Sequence, residues 1–257
     1  MLISPREREQ LRQELAGYCR RLMLSQQIVT CCEQEATPRQ EEFLCRILRE
    51  ELARRECSKK VHLVQRAGFP VLKSFADYDF HCVRFPPTMN QEELLSCQFI
   101  REKKNLVLYG AVGLGKTHMA LALGVKACEM GLRVRFHAVT QLVLRLTEAR
   151  KNGTLERLVM DLQKLDLLIL DEWGYVPVDK EGSQLLFRVV ADSYESKSLI
   201  LTTNLEFSKW GGIFTDEQMA AAMIDRLVHH GHLLMFEGRS YRMEHALMRQ
   251  VSKKQAG

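Results

Sequence analysis

Apolar and polar positions follow two different patterns along this chain of 257 residues. The first sixty residues place leucines at helical spacing, for example Leu11, Leu15 and Leu22. From about residue 104, short apolar runs alternate with amphipathic stretches. The runs typical of buried strands are 106–109, 133–137, 167–170, 199–202 and 233–236, and the stretches with helical periodicity are 116–130, 140–151, 154–163, 181–194 and 216–228. This alternation predicts an α/β fold with a parallel sheet covered by helices on both faces.

The change of pattern predicts two domains. We expect a small helical domain over 1–65 and an α/β domain over 66–257. Helices are expected throughout 5–59, with a break near Pro38, and glycines and prolines then punctuate a connecting region. Because only residues 237–257 follow the last predicted strand, a helical lid after it is expected to be minimal or absent.

Composition narrows the class of protein. The 15 glycines and 6 prolines are too few for a collagen-like or disordered chain, and no apolar run reaches the ~18 residues of a membrane span. The first ten residues lack the apolar core of a signal peptide, so we expect a cytoplasmic protein with no membrane partner. The eight cysteines lack zinc or redox spacing and are expected as reduced thiols on helix faces. We interpret His229, His230 and His232 as solvent or interface histidines rather than metal ligands.

Positive charge is concentrated in one part of the chain. The net charge is +5, yet residues 101–160 carry 11 basic and 4 acidic side chains, and residues 161–210 carry 5 basic and 9 acidic ones. A basic stretch of this kind suits a polyanionic partner, although a solvated helix face explains such a run equally well. The acidic stretch is where metal-binding carboxylates are expected.

A glycine-rich motif follows the first predicted strand and opens the first helix of the α/β region. It reads Gly110-Ala111-Val112-Gly113-Leu114-Gly115-Lys116-Thr117, which has the Walker A spacing. The glycines allow backbone N–H groups to point at phosphate oxygens, and the helix N-terminus adds partial positive charge. We expect Lys116 to reach the β- and γ-phosphates of a nucleoside triphosphate, and the Thr117 hydroxyl to bind Mg²⁺.

Two carboxylates follow the apolar strand 167–170. Asp171 and Glu172 lie at its carboxyl end, where ligands bind in open α/β sheets. Asp171 is expected to bind Mg²⁺, and Glu172 to orient and polarise the attacking water. The alternative is a strand that ends in a solvated acidic pair.

Three further polar residues give weaker signals. Asn204 follows the strand 199–202 and either bonds the γ-phosphate or the water, or is a turn residue. Arg226 lies beside Asp225 near a helix end, and it either forms a local ion pair or reaches a nucleotide on a neighbouring subunit. Arg242 is a candidate phosphate contact.

In their order along the chain, these motifs resemble the IstB proteins. These are the ATP-binding helpers of a bacterial insertion-sequence transposase, related to the DnaC helicase loader and the DnaA initiator among the AAA+ ATPases. The resemblance extends over about 65–249 and rests on the segments 110–117, 170–175, 202–204, 225–227 and 240–242. It implies an AAA+ P-loop NTPase fold with ATP and Mg²⁺ as cofactors. It also implies Asn204 as sensor 1, Arg226 as an arginine finger acting in trans, and Arg242 as sensor 2.

The resemblance further implies a DNA-dependent ATPase that forms a homo-oligomer, as a ring or a filament, on double-stranded DNA and assists a transposase. Relatives carry a helical insertion that corresponds here to 140–163. The basic residues in or beside this insertion are Arg145, Arg150, Lys151, Arg157 and Lys164. They are expected to follow a phosphate backbone without reading bases, with a solvated helix face as the alternative for each.

A second basic group in the helical domain is a candidate for docking DNA or the transposase. It consists of Arg54, Arg55, Lys59 and Lys60. The alternative function is a helicase loader of the DnaC type, whose N-terminal helices clasp another ATPase. A small-molecule P-loop kinase is disfavoured, because nothing resembles a second-substrate lid and the motif order fits AAA+ proteins.

Overall fold

The computed structural model describes residues 4–76, 78–174, 179–212, 214 and 216–244. Tyr175 and residues 245–249, which belong to the resemblance described above, lie outside this description. The chain divides into two units, Met1–His62 and Leu63–Gly257. All eight cysteines are free thiols. Six lie in helices, whereas Cys82 and Cys97 lie in turns, so the prediction that all lie on helix faces is wrong for these two.

The first unit is built from helices α1 (Pro5–Leu22), α2 (Gln27–Glu35) and α3 (Pro38–Ala67), the last of which continues into the second unit. A capping box between Ser4 and Glu7 begins α1. The helix α3 begins at Pro38. A proline is tolerated at this position because the N–H groups of the first helical turn have no acceptor within the helix. Glu41 is fully buried and accepts hydrogen bonds from Arg8 and Arg12 at 2.9–3.1 Å, which ties α1 to α3.

The second unit contains a six-stranded sheet. Its strands are β1 (Val83–Arg84), β2 (Asn105–Gly110), β3 (Val134–Ala138), β4 (Leu167–Trp173), β5 (Ser198–Thr203) and β6 (Gly231–Phe236). The order is β1-β6-β2-β5-β4-β3, and every pair is parallel except β1 with β6. The five predicted strands and the parallel sheet are confirmed. The edge strand β1 was not predicted, because two residues carry no periodicity.

Helices cover both faces of this sheet. They are α4 (Gln91–Ser96), α5 (Gln98–Arg101), α6 (Lys116–Glu129), α7 (Val139–Lys151), α8 (Leu155–Gln163), α9 (Lys180–Ser193), α10 (Glu217–His229) and α11 (Tyr241–Glu244), with a 3₁₀ helix at Phe207–Gly212. The region before residue 104, expected as a connection, contains α4 and α5 as well as β1. Among the described residues, the four-residue α11 is the helix that follows β6, and the rest of the segment expected to hold a minimal lid or none lies outside the described ranges. None of the helices in the described ranges combines the length and the apolar character that a membrane span requires.

Side chains of the central strands alternate between two hydrophobic clusters. Ile169 and Ile200 pack with α6 on one face, whereas Leu168 and Leu201 pack with α7, α9 and α10 on the other. Burial on both faces explains why these strands are continuously apolar, and it contributes roughly 1.5–3 kcal/mol for each large side chain. Because β2, β4 and β5 are parallel, their carboxyl ends lie at the same end of the sheet.

A tryptophan pair closes the second cluster near the end of β4. Trp173 and Trp210 are both fully buried, and their ring centroids lie 5.2 Å apart. The ring centroid of Phe214 lies 5.4 Å from that of Trp173. This aromatic cluster joins the end of β4 to the 3₁₀ helix, which in turn contacts α10.

Candidate nucleotide-binding site

A cavity of about 580 Å³ lies where β2, β4 and β5 end. Its wall includes the glycine-rich loop, the ends of β4 and β5, and the segments around Tyr78 and Arg242. The charged side chains of the wall are Lys73, Lys116, Arg239, Arg242, Asp79 and Glu172. Because cations outnumber carboxylates in this wall, the cavity favours an anionic ligand.

The loop depends on glycine for both conformation and space. Gly113 and Gly115 have φ angles of 85° and 90°, which residues with a side chain rarely adopt. A β-carbon at Gly113 would collide with Ser240, and one at Gly115 would lie 3.2 Å from the Tyr78 hydroxyl. Tyr241 N–H donates to the Gly113 carbonyl at 3.1 Å, and the Tyr78 hydroxyl donates to the Gly115 carbonyl at 3.3 Å. The loop is therefore held by neighbours on both sides, directly before α6 begins.

The Lys116 ammonium folds back onto its own loop. Its Nζ donates to the carbonyl oxygens of Gly110 at 2.6 Å and Ala111 at 2.7 Å. Burial lowers the pKa of Lys116 to about 8, a shift that the Asp171 carboxylate opposes and Arg242 reinforces. Phosphate oxygens are stronger acceptors for an ammonium than these carbonyls, so the side chain is ready to exchange them for a polyphosphate.

We expect the affinity for ATP to fall as the pH rises above about 8. Below this pH the Lys116 ammonium is charged in the ligand-free protein, and above it the charge must be restored on binding, which costs up to about tenfold in affinity per pH unit. Titration calorimetry at a series of pH values measures the profile. Lys116→Arg is the control, because arginine keeps its charge over this range and should give a flat profile. A flat profile for the unchanged protein would contradict the prediction.

Thr117 and Asp171 lie together, as the sequence predicts for a magnesium site. The Thr117 hydroxyl donates to Asp171 Oδ1 at 2.9 Å, and Asp171 is only 6% exposed. A hydroxyl and a carboxylate form an oxygen-only donor set, which is the chemistry that Mg²⁺ prefers. These two residues therefore fit the Mg²⁺ ion that accompanies a bound nucleoside triphosphate.

Glu172 differs from its neighbour in both exposure and backbone conformation. Its side chain is exposed and lines the cavity, whereas Asp171 is buried. Its φ angle is 62°, in the left-handed region that costs a residue with a side chain about 1–3 kcal/mol. The two carboxylates are thus not equivalent members of a solvated pair.

Asn204 and Arg242 also reach the cavity. Asn204 follows β5 directly, and Arg242 lies in α11; both are exposed and line the wall. Each is placed where a side chain can contact the phosphates of a bound nucleotide.

Arg226 lies apart from the cavity of its own chain. It is partly buried near the end of α10, where its Nη1 donates to the Ala222 carbonyl at 2.8 Å. Its guanidinium carbon lies 5.3 Å from the Phe187 ring centroid. Within the described part of the chain no ion pair joins it to Asp225, and it is not among the residues that line the cavity.

The predicted DNA-contacting residues are all exposed, but several have acidic partners. Arg145, Arg150 and Lys151 lie on α7, Arg157 lies on α8, and Lys164 follows α8. Arg150 pairs with Glu181 at 3.4 Å, and Lys164 pairs with Asp161 at 2.9 Å. In the first unit, Arg55 pairs with Glu51 at 2.8 Å, while Arg54, Lys59 and Lys60 extend from α3.

Several residues of the cavity were not predicted from the sequence. Lys73 and Tyr78 lie more than thirty residues before the loop in sequence and follow no motif spacing. His118 and Arg239 adjoin predicted residues, which was a usable signal. His118 Nε2 lies 2.8 Å from the Ser74 carbonyl oxygen, and its ring packs edge-on against Tyr78 with centroids 5.0 Å apart.

A parallel sheet with a glycine-rich phosphate loop after β2 and an acidic pair within β4 defines a P-loop nucleotide-binding protein. A family model of IstB-like ATP-binding proteins matches residues 21–249. The chain belongs to this family, which confirms the resemblance that the motifs indicate.

Individual relatives agree with this assignment. The insertion sequence IS21 ATP-binding protein of Pseudomonas aeruginosa is 38% identical over 206 residues, covering 79% of this chain and 77% of the relative. The insertion sequence IS5376 ATP-binding protein of Geobacillus stearothermophilus is 34% identical over 213 residues, which cover 83% of this chain and 85% of the relative. A crystal structure of a DNA replication initiation factor matches with a TM-score of 0.50 at 20% identity, covering 63% of this chain. This chain spans 50% of that protein, and the likeness concerns the fold alone.

Proposed function

We propose that this ATP-binding protein hydrolyses ATP, assembles on double-stranded DNA and assists the transposase of its insertion sequence in selecting or activating a target. The observation that carries the proposal is the arrangement of the cavity, where the phosphate loop, Thr117, Asp171 and Glu172 meet. Family membership and relatives encoded by insertion sequences supply the biological context.

The chemistry follows from the position of each side chain. Backbone N–H groups of the loop and the Lys116 ammonium bind the phosphates. Thr117 and Asp171 would hold Mg²⁺, and the ion, when bound, would supply positive charge that stabilises the transferred phosphoryl group. Glu172 orients the attacking water and accepts its proton, while Asn204 donates a hydrogen bond to the γ-phosphate or to that water.

The position of Arg226 supports the proposed assembly, because this side chain does not line the cavity of its own chain. Arg226 carries its guanidinium outside that wall, near the end of α10. A neighbouring copy that presents its Arg226 to the γ-phosphate would complete the site, so hydrolysis would depend on assembly. ATP hydrolysis then limits the lifetime of the oligomer, whether ring or filament.

DNA binding is proposed for the basic side chains of α7 and α8. Arg145, Lys151 and Arg157 have no ion-pair partner within the described residues, so they offer more unsatisfied charge than Arg150 or Lys164. We propose that Arg54, Arg55, Lys59 and Lys60 of the first unit dock the transposase or further DNA.

Neutralising Arg145, Lys151 and Arg157 together is expected to weaken duplex binding and to flatten its salt dependence. Each lost phosphate contact lowers the slope of log affinity against log salt by about 1, irrespective of DNA sequence. Fluorescence anisotropy with a labelled duplex at several salt concentrations measures both quantities. Arg133→Ala is the control, because this exposed arginine pairs with Asp166 at 3.2 Å. If the triple variant kept the original slope, these three residues would not be part of the DNA-binding surface.

The test of the proposal uses the full chain with and without ATP and a short duplex, and offers it either the transposase or a replicative helicase as a partner. We expect hydrolysis that duplex DNA stimulates, ATP-dependent oligomers visible by electron microscopy, and capture of the transposase by those oligomers. Absence of hydrolysis under all these conditions would refute the ATPase. Capture of a replicative helicase instead of the transposase would support the helicase-loader alternative.

A further inference from the structure

The strand β4 contains an irregularity at its two acidic residues. Leu170 pairs with Leu201 of β5, and Trp173 pairs with Thr203, so Asp171 and Glu172 together face one residue, Thr202. Two residues opposite one is the geometry of a β-bulge, which re-aims a side chain next to many functional sites. Here it accompanies the left-handed backbone of Glu172, whose side chain then lines the cavity.

Thr202 bonds to both acidic residues across the bulge. Its hydroxyl donates to Asp171 Oδ1 and accepts the backbone N–H of Glu172 at 3.0 Å. Thr202 is 2% exposed, so water competes little for either bond. One buried hydroxyl therefore fixes the carboxylate of the first acidic residue and the backbone of the second.

We infer that Thr202 is a positioning residue for ATP hydrolysis, acting through Asp171 and Glu172; this inference rests on the proposed ATPase function. Thr117 donates to the same Oδ1 atom, and it is the hydroxyl that would turn to Mg²⁺ when the metal–nucleotide complex binds. The bond from Thr202 then keeps Asp171 in place. The bond to Glu172 N–H holds the disfavoured backbone conformation that directs this carboxylate to the cavity.

The test compares Thr202→Val, which removes the hydroxyl at nearly constant shape, with Thr202→Ser, which keeps it. Ser198→Ala is the matched control, because Ser198 is also buried in β5, and its hydroxyl donates to the Phe99 carbonyl at 3.1 Å, at the other end of the strand. Three quantities are measured: thermal unfolding, turnover, and binding of a fluorescent ATP analogue with and without a Mg²⁺ titration. Thr202→Ala repeats the hydroxyl deletion if the valine variant does not fold.

For Thr202→Val we expect nearly unchanged binding of the analogue without metal. The Mg²⁺ concentration needed for half-maximal effect should rise about 10-fold, and turnover should fall about 10- to 100-fold. Thr202→Ser should restore both, and Ser198→Ala should affect only unfolding. Equal turnover and equal Mg²⁺ dependence for the valine and serine variants would overturn the inference, as would parallel losses in Thr202→Val and Ser198→Ala. If the unchanged protein binds but does not hydrolyse ATP, the ATPase proposal fails, while the Mg²⁺ titration still tests how Thr202 positions Asp171.

Discussion

Replacing Arg226 by alanine is expected to leave ATP binding nearly unchanged and to lower DNA-stimulated turnover by about 10³-fold or more. The reason is that an arginine finger contributes about 10³–10⁵ to the rate in P-loop enzymes, whereas this side chain does not line the cavity of its own chain. Binding is measured with a fluorescent ATP analogue and turnover by phosphate release. Arg188→Ala is the matched control, because Arg188 is a partly exposed arginine paired with Glu156 at 2.7 Å.

A mixing experiment separates a finger acting in trans from simple damage to α10. Arg226→Ala and Glu172→Gln are each inactive alone if the site spans two copies. In mixed oligomers, an alanine subunit that binds ATP meets an intact Arg226 from a glutamine subunit, so part of the turnover should return. Unchanged turnover in Arg226→Ala alone, or no recovery on mixing, would argue against a shared site.

Glu172→Gln is expected to lower turnover by about 10²-fold or more while ATP still binds. A glutamine keeps the size of the side chain but can no longer accept the proton of the attacking water, and a general base of this kind typically contributes 10²–10⁴. ATP-bound oligomers should therefore persist on DNA, which light scattering detects.

The control for this variant is Glu206→Gln, which removes an exposed carboxylate that lies 3.9 Å from Lys209, shortly after β5. We expect this change to leave turnover within about twofold, because exposed pairs contribute little. Ordinary hydrolysis by Glu172→Gln would show that another group activates the water.

Regular periodicity made most of the second unit predictable from sequence. The central strands β2, β4 and β5 are apolar because both of their faces are buried, and the helices α7 to α10 have an amphipathic pattern. The short elements α4 and β1 were missed for different reasons. The capping box of Asn90 and Glu93 was a readable signal for α4, whereas β1 forms only through its pairing with β6.

The candidate site was predictable where neighbours in sequence are also neighbours in space. The loop before α6 and the acidic pair of β4 carry motifs because strand, turn and helix place them locally. Thr202 and Tyr78 could not be assigned in this way, since their contacts depend on strand register and on a distant segment. Likewise, the charges of Arg145 and Arg150 look alike in sequence, and only the fold reveals the partner of Arg150.

Trp173 and Trp210 are the two tryptophans of the chain, and they share one buried cluster. Intrinsic tryptophan emission from this protein, excited selectively at wavelengths where tyrosine hardly absorbs, therefore arises from a single cluster that begins one residue beyond Glu172. Any rearrangement of β4 that accompanies nucleotide turnover alters the surroundings of this indole pair. The chain thus carries an unlabelled optical probe beside its acidic residues, suited to stopped-flow recording without a dye.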